Sequence, residues 1–176
     1  YPVGAKLQSD TSVGYHVQSN GGNWLAGYDI GKPASNGIVS FAESWIYLEE
    51  APASWIMPFT LYPSSGQFTG FSIDSDLSIG YRPFGIASTT VVAGPLPLKE
   101  WFWMGMSQLG TTTEVLVRVS DGAGGWTEST ASTTDLSTRF GEQNYLCFGP
   151  FNSAGNADHY TRFSGVAFYQ LDSLDS

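Results

Sequence analysis

The chain has 176 residues, a length that fits one domain and can bury a core without disulfides or a metal. Hydrophobic residues make up 41% and aromatic residues 15%, whereas charged residues reach only 13%, so Ser, Thr, Asn, Gln and Gly must build the polar surface. The net charge of −9 and the lack of any run of Lys or Arg exclude nucleic acid and anionic membranes as partners, because a phosphate backbone requires clustered cations.

The weakly charged, Ser- and Thr-rich composition predicts an extracellular location or a place on a virion or cell surface. Cys147 has no cysteine to pair with and stands in an apolar run, which predicts a small core side chain rather than a nucleophile. No apolar run approaches the roughly 18 residues of a membrane span, so membrane insertion is not expected. Because the chain begins at Tyr1 without a Met, we expect a processed product or an excised domain.

Short apolar stretches rich in β-branched and aromatic residues follow one another along the chain, separated by 21 Gly and 9 Pro. The predicted strands cover residues 14–18, 24–29, 37–49, 55–62, 68–73, 77–81, 86–92, 101–109, 114–119, 126–129, 145–148 and 163–170. The first two are expected to pair around Asn20-Gly21-Gly22, and Pro58 predicts an edge or a bulge in the fourth. About a dozen short strands predict one all-β domain over residues 1–176, an antiparallel two-sheet sandwich.

The predicted strands alternate between two faces. In the third predicted strand, Trp45 and Tyr47 lie on one face and Ile46 and Leu48 on the other. In the eighth, Trp103 lies on the opposite face from Phe102 and Met104. The largest aromatic residues and the apolar positions of later strands are expected to fill the interior. The predicted core residues are Trp45, Trp103, Val117, Phe148, Phe163 and Phe168.

Four segments carry a resemblance to a known family. They are residues 41–47 with an aromatic followed by Trp45, the Trp-led segment 100–106, the segment 114–122 ending in Asp-Gly, and residues 163–169 with a Gly after an aromatic. In order and spacing they resemble strands of the laminin-G-like or concanavalin-A-like jelly-roll superfamily, over about residues 37–171. The resemblance implies a jelly roll, a fold that serves lectins, carbohydrate-binding modules, adhesion domains, glycoside hydrolases and polysaccharide lyases.

Catalytic patterns that the resemblance implies for enzymes are missing. The hydrolases of this superfamily carry Glu-x-Asp-x-x-Glu on a strand, and this chain has no such pattern. The lyases carry a histidine in a Gln-x-His strand, and neither His16 nor His159 stands in that context. The cluster Asp158-His159-Tyr160-Thr161-Arg162 is the only candidate for acid–base chemistry, and such loop residues more often contact ligands or cap polar groups. We therefore predict a protein that is not an enzyme.

Three loop segments combine Gly, Asn or Asp with an aromatic residue, namely 20–24, 121–126 and 151–160. Aromatic faces stack on sugar rings, while amide, carboxylate and guanidinium groups bond their hydroxyls, so these segments predict a ligand-binding rim. The alternative is that Trp24 and Trp126 fold back on the sandwich. The predicted ligand residues are Asn20, Asn23, Trp24, Asp121, Trp126, Asn156, Asp158, His159, Tyr160 and Arg162.

Two short acidic segments offer hard oxygen ligands that Ca²⁺ could use, although the fold is expected to require no cofactor. The first segment contains Asp74 and Asp76, and the second contains Asn156 and Asp158. The alternative in both is a turn in which the side chain bonds its own backbone.

These observations favour a non-catalytic module that binds a carbohydrate or cell-surface receptor, as lectins and adhesins do. The first alternative is a structural protein that self-assembles into a homo-oligomer and buries its exposed aromatic residues against neighbouring copies. The second is a polysaccharide lyase or glycoside hydrolase, which requires carboxylates or a His, Tyr and Arg set converging in a cleft.

Overall fold

The computed structural model describes residues 6–10, 14–19, 26–31, 39–63, 69–82, 89–109, 112–134, 144–151 and 161–171. In this part of the chain the regular elements are strands, and no helix long and apolar enough to cross a membrane is found. The strands are β1 (Lys6–Asp10), β2 (Gly14–Ser19), β3 (Ala26–Gly31), β4 (Val39–Leu48), β5 (Trp55–Pro63), β6 (Thr69–Asp74), β7 (Ile79–Arg82), β8 (Thr89–Val92), β9 (Trp101–Leu109), β10 (Thr112–Ser120), β11 (Trp126–Thr134), β12 (Asn144–Phe151) and β13 (Thr161–Leu171).

The strands form two antiparallel sheets. The front sheet has seven strands in the order β1-β2-β13-β4-β9-β10-β11, and the back sheet has six in the order β3-β12-β5-β6-β7-β8. The chain crosses repeatedly between the sheets, so most spatial neighbours are distant in sequence. This arrangement confirms the predicted all-β, two-sheet sandwich.

The core lies between the sheets and takes every second residue of the central strands of the front sheet, whereas residues 69–73 of β6 in the back sheet are buried at every position. Strand β9 contributes Phe102 and Met104, β10 contributes Val115 and Val117, and the back sheet supplies side chains such as Phe71. The largest fully buried side chains are Phe59, Phe71, Phe102, Phe163, Ile46, Leu48, Met57, Ile73, Ile79, Met104 and Met106. The predicted core positions Val117, Phe148 and Phe163 are confirmed as buried.

The prediction that Trp45 and Trp103 belong to the core is wrong. Both are only partly buried and face away from the back sheet, because Ile46 and Phe102, their neighbours in sequence, occupy the inward positions. The predicted alternation is observed, but both faces of these strands are apolar, and the indoles lie on the outer one. The side chain of Phe168 lies outside the described residues.

One expectation about pairing is also wrong. β2 and β3 do not pair with each other: β2 lies in the front sheet between β1 and β13, whereas β3 pairs with β12 in the back sheet. The strand β1, which pairs with β2 over its whole length, was not predicted and takes the expected partner's place. Pro58 marks a bulge, not an edge, since β5 lies between β12 and β6 and its register shifts between Ile56 and Phe59.

The closing strand β13 carries a bulge that depends on a glycine. Its register against β4 shifts between Ser164 and Ala167, and Gly165 there has a φ of +62°, a conformation that side chains disfavour. The buried Ser44 hydroxyl lies 2.9 Å from the Ser164 carbonyl oxygen and donates to it, which ties β4 to the bulge. The glycine noted in the sequence therefore bends the strand beside the site described below.

Candidate functional site

The outer face of the front sheet, which points away from the core, is where the aromatic residues collect. Strand register places side chains in rows across β4, β9, β10 and β11, and one row runs from Trp45 through Trp103 and Arg118 to Glu128. The next row along the strands pairs Tyr47 with Trp101. Along β4 this face extends from residue 41 to residue 47, roughly 20 Å at the usual rise per residue.

Six aromatic side chains on this face form what we call the aromatic layer. They make three ring pairs. The ring centroids of Phe41 and Trp103 are 6.4 Å apart, those of Trp45 and Trp126 are 5.2 Å apart, and those of Tyr47 and Trp101 are 5.4 Å apart. Such tilted contacts stabilise the layer while leaving ring faces available to a ligand.

The contact between Trp45 and Trp126 spans the sheet. Their strands, β4 and β11, are separated by β9 and β10, so the backbones stand about three strand spacings, roughly 14 Å, apart. The two indoles must therefore lean toward each other over the intervening strands. Trp126 thus leans back over the outer face of the front sheet, as the alternative expected, and it remains 50% exposed there.

Gly105 allows two rings of the layer to lie close to the sheet. A Cβ atom at this position would lie 2.6 Å from Cη2 of Trp103 and 2.9 Å from Cζ of Phe41, both closer than real side chains tolerate. The missing side chain thus lets both rings lie over β9. It also leaves a depression beside them.

Two arginines lie against the layer, each held by a glutamate. The Arg118 guanidinium lies 5.0 Å from the Trp103 ring centre, and its Nε donates to Glu128 at 2.6 Å. Arg162 lies 4.5 Å from the Tyr47 ring centre, and its Nη2 donates to Glu49 at 3.0 Å. The layer therefore carries fixed donors for hydroxyl groups at two of its margins, and the predicted ligand residue Arg162 is one of them.

Asp121, another predicted ligand residue, organises the turn between β10 and β11. Its Oδ1 accepts the N–H of Ala123 at 2.8 Å and that of Gly125 at 2.9 Å, and these bonds, the first foremost, hold the pKa of the carboxyl below its ordinary value. Gly122 and Gly124 have positive φ angles of 74° and 92° in the same turn. The turn sets Trp126, the first residue of β11, at the end of the sheet.

The other predicted ligand residues lie outside the described residues. They are Asn20, Asn23, Trp24, Asn156, Asp158, His159 and Tyr160. The strand ends that flank them are described: Ser19 pairs with Thr161, which pairs with Leu48 at the end of the sheet where Tyr47 and Trp101 lie. The three predicted loop segments thus start or finish at one end of the front sheet, and their convergence into a rim stays a prediction.

The predicted calcium ligands Asp74 and Asp76 lie in the hairpin turn between β6 and β7, remote from the aromatic layer. Asp74 accepts Nη2 of Arg82 at 3.0 Å and the Ser72 hydroxyl at 2.7 Å. The Ser78 hydroxyl and N–H donate to Oδ1 of Asp76, which lowers the pKa of that carboxyl from its ordinary value. Both carboxylates thus have protein donors of the kind expected for the turn alternative, and calcium binding stays a prediction.

Within the described ranges, no group of three or more His, Cys, Asp or Glu side chains comes together as a metal site would need. The cluster 158–162 is described only from Thr161 onward.

Most of the aromatic layer was missed as a site in the sequence. Trp45, Trp101 and Trp103 were expected in the core, whereas all three are only partly buried on the outer face, and Tyr47 was given no role. The available signal was that β4 and β9 are apolar at both alternating sets of positions. A strand with aromatic residues on both faces has one more apolar face than a sandwich needs to bury.

No protein-family model and no curated protein matches this chain. Solved structures do: a basic winged bean lectin with Tn-antigen superposes with a TM-score of 0.64 at 12% identity, over 95% of this chain and 86% of that chain. A lectin from Bauhinia forficata in complex with GalNAc gives a TM-score of 0.64 at 10% identity, over 97% of this chain and 91% of that chain. A family 7 alginate lyase, A1-II′, in complex with the substrate GGMG, gives 0.62 at 9% identity, over 97% and 83%.

At such low identities the likeness shows the fold alone. The fold is the concanavalin-A-like jelly roll, which confirms the resemblance noted in the sequence. Lectins and a lyase share it, so this is a fold that carbohydrate-binding proteins and carbohydrate-active enzymes both use. Function must then be argued from the site.

Proposed function

We propose that this protein is a non-catalytic module that binds a carbohydrate on the outer face of its front sheet. The observation that carries the proposal is the aromatic layer: six aromatic side chains share one face of a sheet whose opposite face already supplies the core. Flat, partly exposed rings on a rigid sheet are suited to stack on the apolar faces of sugar rings at little entropic cost.

The polar groups around the layer support the same ligand class. Arg118 and Arg162 are held in place by Glu128 and Glu49, and each presents further N–H donors beside an aromatic ring. Sugars require this combination of a hydrophobic platform and directional hydrogen bonds. Of the solved structures with this fold, two are lectins whose complexes hold Tn-antigen and GalNAc, which also favours a glycan ligand.

The predicted rim residues extend this surface in the proposal. Trp126 belongs to both the layer and the rim, and Arg162 lies at the same end of the front sheet. We place the protein outside the cell or on a virion or cell surface, where such ligands occur. No cofactor is required by this mode of binding, and Ca²⁺ at the hairpin or at residues 156–158 is a separate proposal.

A glycan array in the presence of Ca²⁺, and again with EDTA, tests the proposal. We expect binding to a restricted set of glycans that survives chelation, because stacking and arginine donors need no metal. Light scattering on the same sample checks the self-assembly alternative.

An oligomer that gives no array signal in either condition would contradict the proposal and favour assembly. Release of unsaturated or reducing sugars from array-positive glycans would contradict its non-catalytic part. The alginate lyase among the structures of this fold makes alginate the first polymer to assay for that release.

A further inference from the structure

A cavity opens on the outer face beside the aromatic layer, at the opposite end of the strands from Trp101. Its volume is about 440 Å³, within the range of small-molecule pockets. The residues lining it are Phe41, Gly105, Ser107, Glu114, Val115, Leu116, Thr130, Ala131 and Ser132. We call it the Gly105 cavity.

The floor and one wall of the Gly105 cavity are apolar. Gly105 pairs with Leu116 across β9 and β10, and both residues line the bottom of the cavity. Phe41 leans over Gly105 from β4 and forms the wall that adjoins the aromatic layer. A saturated ring entering here meets an aromatic face on one side and an aliphatic one below.

The opposite walls are polar and carry negative charge. Ser107, Glu114 and Ser132 lie in one cross-strand row with Phe41, and Thr130 belongs to the next row. Glu114 is exposed, and neither Lys nor Arg is among the lining residues. Arg118 is four residues further along β10, roughly 13 Å away along the strand, and is engaged with Glu128.

We infer that the Gly105 cavity takes a sugar unit with a protonated amine, so that the bound glycan is an amino sugar polymer with free ammonium groups. The inference rests on the proposed function and gives it a substrate class. The ammonium donates to Glu114 in a charge-assisted bond, the hydroxyls of Ser107, Thr130 and Ser132 bond the ring hydroxyls, and Phe41 covers the apolar face of the ring. Acidic sugars are repelled by the same carboxylate.

Calorimetry with two probes tests this inference: an oligosaccharide of glucosamine and the same oligosaccharide fully N-acetylated. We expect the free-amine form to bind about tenfold more tightly, since a hydrogen bond to a charged group contributes about that factor. In Glu114→Gln the two affinities should become equal, while the melting temperature stays unchanged because Glu114 is exposed. Glu50→Gln, an exposed carboxylate outside the cavity, is the matched control and should keep the tenfold preference.

Three outcomes would overturn the inference. The first is an affinity ratio that Glu114→Gln leaves unchanged, and the second is tighter binding of the acetylated form or of alginate oligomers. The third is competition of spermidine with the glucosamine oligosaccharide at the same ammonium concentration. The last would show that the cavity selects charge without a sugar. If array-positive glycans still bind and still depend on Trp126, only this inference fails. If no glycan binds, the proposed function fails with it.

Discussion

Replacing Phe102 with Ala is expected to lower the free energy of unfolding by about 3–5 kcal/mol, the usual cost of removing a buried Phe. Phe102 is fully buried between the sheets, where its ring fills space that no neighbouring side chain can occupy without rearrangement. Chemical denaturation followed by fluorescence measures the change. The loss should appear as a lower midpoint with an unchanged slope.

Trp103, the next residue, supplies the matched comparison. It lies in the same strand on the opposite face, where it contacts Phe41 and Arg118. Trp103→Ala should cost less than Phe102→Ala, because Trp103 is only partly buried and its removal leaves no enclosed cavity. A Trp103→Ala loss equal to or greater than that of Phe102→Ala would mean that the two faces of β9 have been exchanged.

Trp126→Ala is expected to weaken glycan binding by about tenfold to thirtyfold, the effect of truncating a central aromatic contact in an interface. Trp126 is half exposed, and its ring is the part of the aromatic layer most open to a ligand. Its stability contribution comes mainly from one ring contact with Trp45, so the melting temperature should fall by no more than about 2–4 °C. Calorimetric titration with the strongest glycan from the array measures the affinity.

Trp55→Ala is the control for that experiment. Trp55 lies on the back sheet at the start of β5, with Arg82 4.4 Å from its ring centre, so it reproduces the residue type away from the outer face. It should leave the glycan affinity unchanged. Equal losses in both variants, or a loss only in Trp55→Ala, would remove the aromatic layer from the account.

The alternation of residues predicted much of the architecture. In β9 the predicted bounds 101–109 are those observed, and in β10 the predicted core residue Val117 is buried. Local patterning decides these features because a strand's side chains alternate by geometry alone. The Asp74-Ser75-Asp76 turn between β6 and β7 was predictable for a similar reason, since its bonds are formed within a few residues.

Features that depend on distant parts of the chain were not predictable. The choice of which face of β4 and β9 is buried rests on the back sheet, whose side chains meet Ile46 and Phe102 rather than Trp45 and Trp103. The separation of β2 from β3 rests on their partners β13 and β12, more than a hundred residues further along the chain. The apolar residues at both alternating sets of positions indicate a surplus apolar face in β4 and β9, but the distant back sheet decides which face is buried, so the outer indoles were expected in the core.

The most direct test of the aromatic layer as the binding surface uses the indole N–H signals of the six tryptophans in a ¹⁵N–¹H spectrum. Each signal is assigned with a single Trp→Phe variant, and the strongest glycan from the array is titrated into the labelled protein. We predict that the signals of Trp45, Trp101, Trp103 and Trp126 shift with a common saturation curve while that of Trp55 stays in place. A saturating shift of Trp55 with the other four unmoved would contradict the account.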